Sequence, residues 1–275
     1  MNSENSTALD NAQADGKQNA PQETPKVHKK HRGLKIFLGI LASILLVVIL
    51  VGGWFGVVPG ASNLLGANKP RDLGIRYSEA DYQSFLATTK TNFLDYATAP
   101  DNPLKPGKKT VFADPVSVNG LNVSDVELTA AAANTDWLWM PLKNAQVKFS
   151  PGTVEVSGNI DTTYLKEFIN FIGGVGYSQE DIDKGIEYGK KLVGSSPALY
   201  FKAKASVTND ILSYKVEQVQ VNRFSVPVDI ASKVLGTGTS NAIIRADNFE
   251  AKSVTATDGA LIFSGTYPST IYVKH

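Results

Sequence analysis

The sequence predicts an α+β domain, an antiparallel sheet built from hairpins with interspersed amphipathic helices, preceded by a single transmembrane helix. Three observations lead there. Residues 36–58 run 23 positions without a charged side chain. Three later segments share the design strand, tight turn, strand, and the stretches between them place apolar residues at helical spacing.

The apolar run comes first because it fixes topology. At about 1.5 Å per residue a helix of this length reaches roughly 34 Å, enough to cross a hydrocarbon core of about 30 Å. Sixteen of its residues are Ile, Leu, Val or Phe, and each favours insertion. Lys26, Lys29, Lys30, Arg32 and Lys35 lie just upstream, which keeps the N-terminus cytoplasmic and the C-terminal domain extracytoplasmic at the cell membrane. A cleaved signal peptide is the competing reading, since Pro59-Gly60-Ala61-Ser62 offers small residues for a peptidase. The apolar core is too long for it, because signal cores run about 7 to 15 residues. Four regions follow: a disordered cytoplasmic tail with a basic juxtamembrane run over 1–35, the anchor over 36–58, a neck with an amphipathic helix and linker over 59–109, and the extracytoplasmic domain over 110–275.

Composition excludes several classes of function. The chain has no cysteine, hence no disulfide, thiolate nucleophile or zinc–thiolate site, a usage natural to a bacterial surface. Its only histidines are His28, His31 and His275, which removes the commonest neutral-pH base and the histidine-based triads and metal sites. From Lys69 onward 21 Lys and Arg face 22 Asp and Glu, so no electrostatic footprint for nucleic acid exists. No cofactor and no metal is expected, and the protein is not expected to be an enzyme. Catalysis would need carboxylates gathered by the fold, for example two of Asp114, Asp161 and Asp247.

Ser78 with Asp81 forms a capping box that opens a helix carrying Tyr82, Phe85, Leu86, Phe93 and Leu94. Pro100, Pro103, Pro106 and Gly107 read as the linker. Ser124 with Glu127 starts a short helix through the alanine run, ending near Asn134. Hairpins are expected over Ala145 to Val156 at Pro151-Gly152, Tyr200 to Val216 at Asn209-Asp210, and Phe249 to Phe263 at Asp258-Gly259. A phase shift between Tyr214, Val216 and Val219, Val221 predicts a bulge near Glu217. Helices are expected over Thr162 to Ile172, over Gln179 to Val193 from Ser178, and from Pro227 through Ile230, Val234 and Leu235.

Glycine-rich Gly173-Gly174-Val175-Gly176 follows a helix instead of a strand, and Gly185-x-x-x-Gly189-Lys190-Lys191 lacks a Walker loop's spacing and hydroxyl. Neither reads as a phosphate loop. Trp137-Leu138-Trp139-Met140 concentrates two indoles and a methionine, so Trp137, Trp139 and Met140 are candidates for the membrane interface or a pocket mouth, with core packing the plainer account.

Two strand pairs close alike, Val154-Glu155-Val156-Ser157-Gly158 and Leu261-Ile262-Phe263-Ser264-Gly265, and Arg223-Phe224-Ser225-Val226-Pro227 precedes a helix. With the N-terminal anchor, this layout over Ser124 to Tyr267 resembles membrane-anchored bacterial YpmS-like domains and actinobacterial LmeA-type envelope proteins, whose fold is akin to tubular lipid-binding modules. The resemblance implies binding of a lipid or other apolar envelope component by a curved sheet closed with helices. The lining candidates are Val147, Phe149, Val156, Phe168, Ile172, Val219, Val221, Phe224, Val234 and Phe263. The alternative is a structural or protein-interaction module of the cell envelope without a small-molecule ligand. Its protein partner is not specified by the sequence.

Overall fold

The structure is a computed structural model that describes residues 43, 45–50, 64–100, 112–171, 178–230, 239–243 and 248–275. The chain divides into two units, Met1–Ser43 and Ile44–His275, and the fold below belongs to the second. It is an α+β fold with a mixed sheet.

Among the described residues ten strands form that sheet: β1 (Asn92–Asp95), β2 (Phe112–Ser124), β3 (Leu142–Ser150), β4 (Thr153–Ile160), β5 (Ala198–Thr208), β6 (Ile211–Val221), β7 (Phe224–Val226), β8 (Thr239–Ile243), β9 (Glu250–Ala256) and β10 (Ala260–Val273). Three long strands act as rails, each flanked on one side by two shorter strands laid end to end. Along β5, β4 takes Ala198 to Lys204 and β9 takes Ser206 to Thr208. Along β10, β9 takes Leu261 to Thr266 and β1 takes Thr270 to Val273. Along β6, β8 takes Ile211 to Lys215 and β7 takes Val219 to Val221. The β1–β10 pair is parallel and the other pairings are antiparallel, so the expected all-antiparallel sheet becomes a mixed one.

The three expected hairpins are present as β3–β4, β5–β6 and β9–β10. Asn209 and Asp210 sit at φ 49° and 63°, the left-handed values a two-residue hairpin turn needs and that Asn and Asp tolerate. The bulge falls on Glu217, because Lys202 faces Gln218 while Ala203 faces Val216. Glycine marks two other irregularities. A Cβ on Gly158 would lie 2.9 Å from the Leu142 side chain, and Gly265, at φ 150°, sits where the register of β10 shifts against both β2 and β9.

Helix α1 (Glu79–Thr89) starts where expected, with the Asp81 carboxylate accepting hydrogen bonds from the Ser78 amide and hydroxyl. It stops earlier than the spacing predicts. Lys90 takes φ 53° and ends it, and Phe93 and Leu94 then lie on β1. The neck expected over 59–109 thus contributes, in its described residues, a strand to the sheet. Helix α2 (Asp125–Asn134) is capped by Ser124 and Glu127, and the Glu127 carboxylate also accepts from Ser84 on α1 at 2.6 Å. Buried Thr129 joins α2 to β3, its hydroxyl accepting from the Val147 amide at 3.0 Å. Helix α3 (Leu165–Phe171) begins three residues later than expected, and α4 (Gln179–Val193) begins from its Ser178 cap as expected. A helical turn follows Pro227 over 228–230, and the rest of that expected helix lies outside the described residues.

No helix among the described residues is long and apolar enough to cross a membrane. Of the expected anchor only Ser43 and 45–50 are described, as helix, and the expected tail lies outside the described residues.

Candidate functional site

Helices α3 and α4 roof one end of the sheet and leave a groove of about 750 Å³ beneath them. That volume falls within the roughly 300–1,000 Å³ typical of ligand pockets. From α3 come Leu165 and Ile169, and from α4 come Ile182 and Ile186. Ile160 at the end of β4, Val221 at the end of β6 and Pro197 before β5 form the floor. Thr162 and Asp181 supply the polar side chains of the lining.

The amphipathic face of α4 produces this shape. Ile182 and Ile186 are one helical turn apart, and Gly185 and Gly189 share their face. A Cβ built on either glycine meets nothing within 4 Å, so both glycines border open space instead of packing against a neighbour. Each costs a helix interior about 0.8–1 kcal/mol relative to alanine. The opposite face is solvated and carries the pairs Lys184–Glu180 and Lys191–Glu187, at 2.5 and 2.6 Å. Lys166 on α3 reaches Asp183 on α4 at 2.7 Å and ties the two roof helices together.

The predicted lining residues are scattered, and among the described ones Val221 is the one that lines the groove. Val147, Phe149 and Val156 pack against Leu128, Val154 and Ala256 in a solid cluster. Phe263 packs with Val207, Ala251 and Phe249, and Val219 with Val216 and Phe201. Phe168 joins an aromatic cluster, Phe224 is 56% exposed, and Ile172 and Val234 lie outside the described residues. The physical reason is that strand alternation identifies an apolar face but not what covers it, and here neighbouring strands and α2 cover those faces. Trp139 is buried, with its ring edge-on to Tyr96 at 5.0 Å, and Trp137 lies 5.1 Å from Phe171 and 5.8 Å from Phe168. Neither indole is among the residues that line the groove, and Trp137 and Met140 are half-buried. The lining residues missed by sequence reasoning had a visible signal, the narrow stripe Ile182, Gly185, Ile186, Gly189 on an otherwise charged helix.

Carboxylates in the domain serve neighbours. Asp114 accepts from the Thr270 hydroxyl, Asp161 accepts from the Thr163 amide at 2.9 Å, and Asp247 lies outside the described residues. Among the described residues no group of three or more His, Cys, Asp or Glu is placed to hold a metal ion.

One polar network lies on the face of β4 and β5 turned away from the Leu199 and Val221 side of the sheet. Tyr200 donates to Glu155 at 2.6 Å, Lys202 reaches the same carboxylate at 3.4 Å, and the Arg71 guanidinium stacks 4.2 Å from the Tyr200 ring. Burial first, then the carboxylate it serves, push the Tyr200 hydroxyl from 10.0 up to about 12. Burial works to raise Glu155, but the Tyr200 hydroxyl and the Lys202 ammonium outweigh it and hold the carboxyl below its usual range. A raised folded pKa means that the Tyr200 contribution is whole below pH 10.0 and is lost as the pH climbs toward about 12. Tyr200→Phe is expected to destabilise the domain by about 1–3 kcal/mol near neutral pH, because Glu155 loses its buried donor. The gap between wild type and variant should then narrow from pH 10 toward pH 12. Denaturant midpoints at three pH values check this, and a gap that stays constant contradicts it.

The fold and site together define a class: a mixed-sheet α+β body with an apolar groove under a glycine-relieved helix pair. No family model, curated protein or solved structure matches the chain.

Proposed function

We propose that the chain is a single-pass, membrane-anchored extracytoplasmic protein whose α+β domain holds an acyl chain or another apolar envelope component in the groove beneath α3 and α4. The groove carries this reading: its walls are largely aliphatic, with Thr162 and Asp181 the polar side chains, and two glycines widen it at a cost to the helix that bears them. Leu45, Leu46, Val47, Val48, Ile49 and Leu50 support the anchor, being helical, wholly apolar and exposed by 37–58%. The resemblance to YpmS-like and LmeA-type envelope proteins points the same way. A second reading, a structural or interaction module of the envelope, draws on the packing of Val147, Phe149, Val219 and Phe263 into solid clusters.

Filling the groove separates the two. Gly185→Leu places a side chain in the open space while raising helix propensity, so the variant is expected to gain about 0.5–1 kcal/mol of stability. It should also lose most of its lipid. The test extracts detergent-purified full chain for mass spectrometry and titrates it with a fluorescent fatty acid, wild type beside Gly185→Leu. Acyl lipid and saturable uptake in wild type, reduced about tenfold in the variant, is the expected result. No acyl lipid and no saturable uptake in wild type would leave the second reading standing, and equal uptake in both chains would remove the groove as the site.

A further inference from the structure

One edge of the domain combines exposed apolar side chains, a cluster of cations and the attachment point of the expected anchor. Leu64 is 88% exposed, Phe224 56%, Ile230 49% and Val228 41%. The Arg223 guanidinium, next to Phe224, donates to the carbonyl oxygens of Leu65 at 3.0 Å and Gly66 at 3.3 Å, which pins the start of the domain to the β6–β7 turn. The strap continues downstream, where Asn159 donates to the Asn68 carbonyl at 2.8 Å and Gln146 accepts from the Leu73 amide at 2.8 Å.

Two further features bear on what this edge meets. Five residues lie between Val58, the last of the expected anchor, and Leu64, so Leu64 stands at most about 22 Å from the end of the span. Lys69, Arg71 and Arg223 together line a notch of about 210 Å³ beside the strap. The Lys69 ammonium has no ion pair among the described residues, as suits a charge meant for an external anion. Phe224 also pairs directly with Val221, a residue of the groove floor, so the exposed rim lies one strand from the groove.

We propose that this edge is a membrane-docking surface. Leu64, Phe224, Val228 and Ile230 enter the boundary between headgroups and acyl chains of the bilayer that holds the anchor, Lys69 and Arg71 meet its anionic headgroups, and the groove opens onto that bilayer. The domain lies on the membrane instead of swinging above it. This rests on the anchored, lipid-binding reading given above, and it supplies the route by which an acyl chain reaches the groove without crossing water.

The chain contains no cysteine, so one introduced cysteine is a unique labelling site. Full chain carrying Phe224→Cys, Ile230→Cys or Thr208→Cys is labelled with an environment-sensitive fluorophore and incorporated into nanodiscs containing phosphatidylglycerol and a nitroxide-labelled phospholipid. Phe224 and Ile230 are exposed, so neither change disturbs the core. Thr208 is exposed ten residues along β5 from Ala198, about 33 Å from the docking edge at the usual strand rise. Quenching of roughly twofold or more at Phe224→Cys and Ile230→Cys, with little at Thr208→Cys, is expected. Equal, weak quenching at all three positions overturns docking and leaves the lipid-binding reading intact. Protection at Phe224→Cys without lipid quenching, accompanied by crosslinking between chains, assigns the edge to a second copy and also overturns it. Failure of the chain to enter nanodiscs removes the anchor itself, and the proposal with it.

Discussion

Gly265→Ala is expected to keep the domain from reaching its native sheet. A Cβ at this position would lie 2.0 Å from the Glu250 carbonyl oxygen, 3.0 Å from its carbon and 3.1 Å from the Lys252 nitrogen. All three are backbone atoms of the paired strand β9, so nothing flexible can swing away. The residue's φ of 150° is itself disfavoured for any side-chain-bearing residue. Relief would require β9 and β10 to separate at the point where β10 also shifts register against β2. The loss should be about 4 kcal/mol or more, a large share of the roughly 5–15 kcal/mol that holds an ordinary domain together. Circular dichroism melts of the purified variant check it. A cooperative transition within a few degrees of wild type would show that the strand pair can open there cheaply.

Phe171→Ala is expected to cost about 3–5 kcal/mol, the usual range for emptying a large aromatic from a core. Its side chain is wholly buried and makes edge-on contacts with Phe112, Trp137 and Trp139 at ring distances of 5.5, 5.1 and 5.8 Å. No other residue touches all three rings in that way among the described residues. Phe171 is also the last residue of α3, whose Leu165 and Ile169 line the groove. The substitution should therefore shift tryptophan emission to the red and weaken fatty-acid uptake together. Phe171→Leu, which refills most of the volume, should restore both in part. Intact uptake in a chain destabilised by several kcal/mol would mean that the roof does not depend on this anchor.

The parts of this fold that show in the sequence are those written in local chemistry. Ser78, Ser124 and Ser178 announced their helices, because a hydroxyl cap and an acidic partner three residues on satisfy free amides wherever they occur. Pro151-Gly152, Asn209-Asp210 and Asp258-Gly259 announced their hairpins, and the Glu217 bulge appeared as a slip in alternation. Strand β2 gave no such sign. It contains Pro115, Asn119 and Gly120, poor strand formers, and is held in the sheet by ten residue pairs with β10 that pass over Asn119 and Gly120, the latter at φ 73°. Pro115 even faces Pro268, where neither residue has an amide to donate. The end of α1 was equally silent, since Lys90 takes a left-handed conformation where glycine would have marked the stop.

The groove was half legible for a related reason. Ile182 and Ile186 on a charged helix declare a buried face, but a sequence does not say whether that face closes on a neighbour or stands off from it. The strand residues first expected to line a cavity, Val147, Phe149 and Phe263, have partners that fill the space. The α4 stripe is interrupted by Gly185 and Gly189, which leave space unfilled. The missing side chains at Gly185 and Gly189 were the better indicator.

The parallel union of β1 with β10 sets a timetable for biogenesis. Asn92 waits for Thr270, 178 positions later, before its edge of the sheet can close. At a synthesis rate of about 5–20 residues per second that interval is roughly 10–35 seconds. During it β2 is without its antiparallel mate, since all ten of its cross-strand pairs are with β10. The nascent polypeptide therefore passes through a prolonged stage with open strand edges, when chaperones have the most to bind and premature termination before residue 260 would leave a product unable to complete itself.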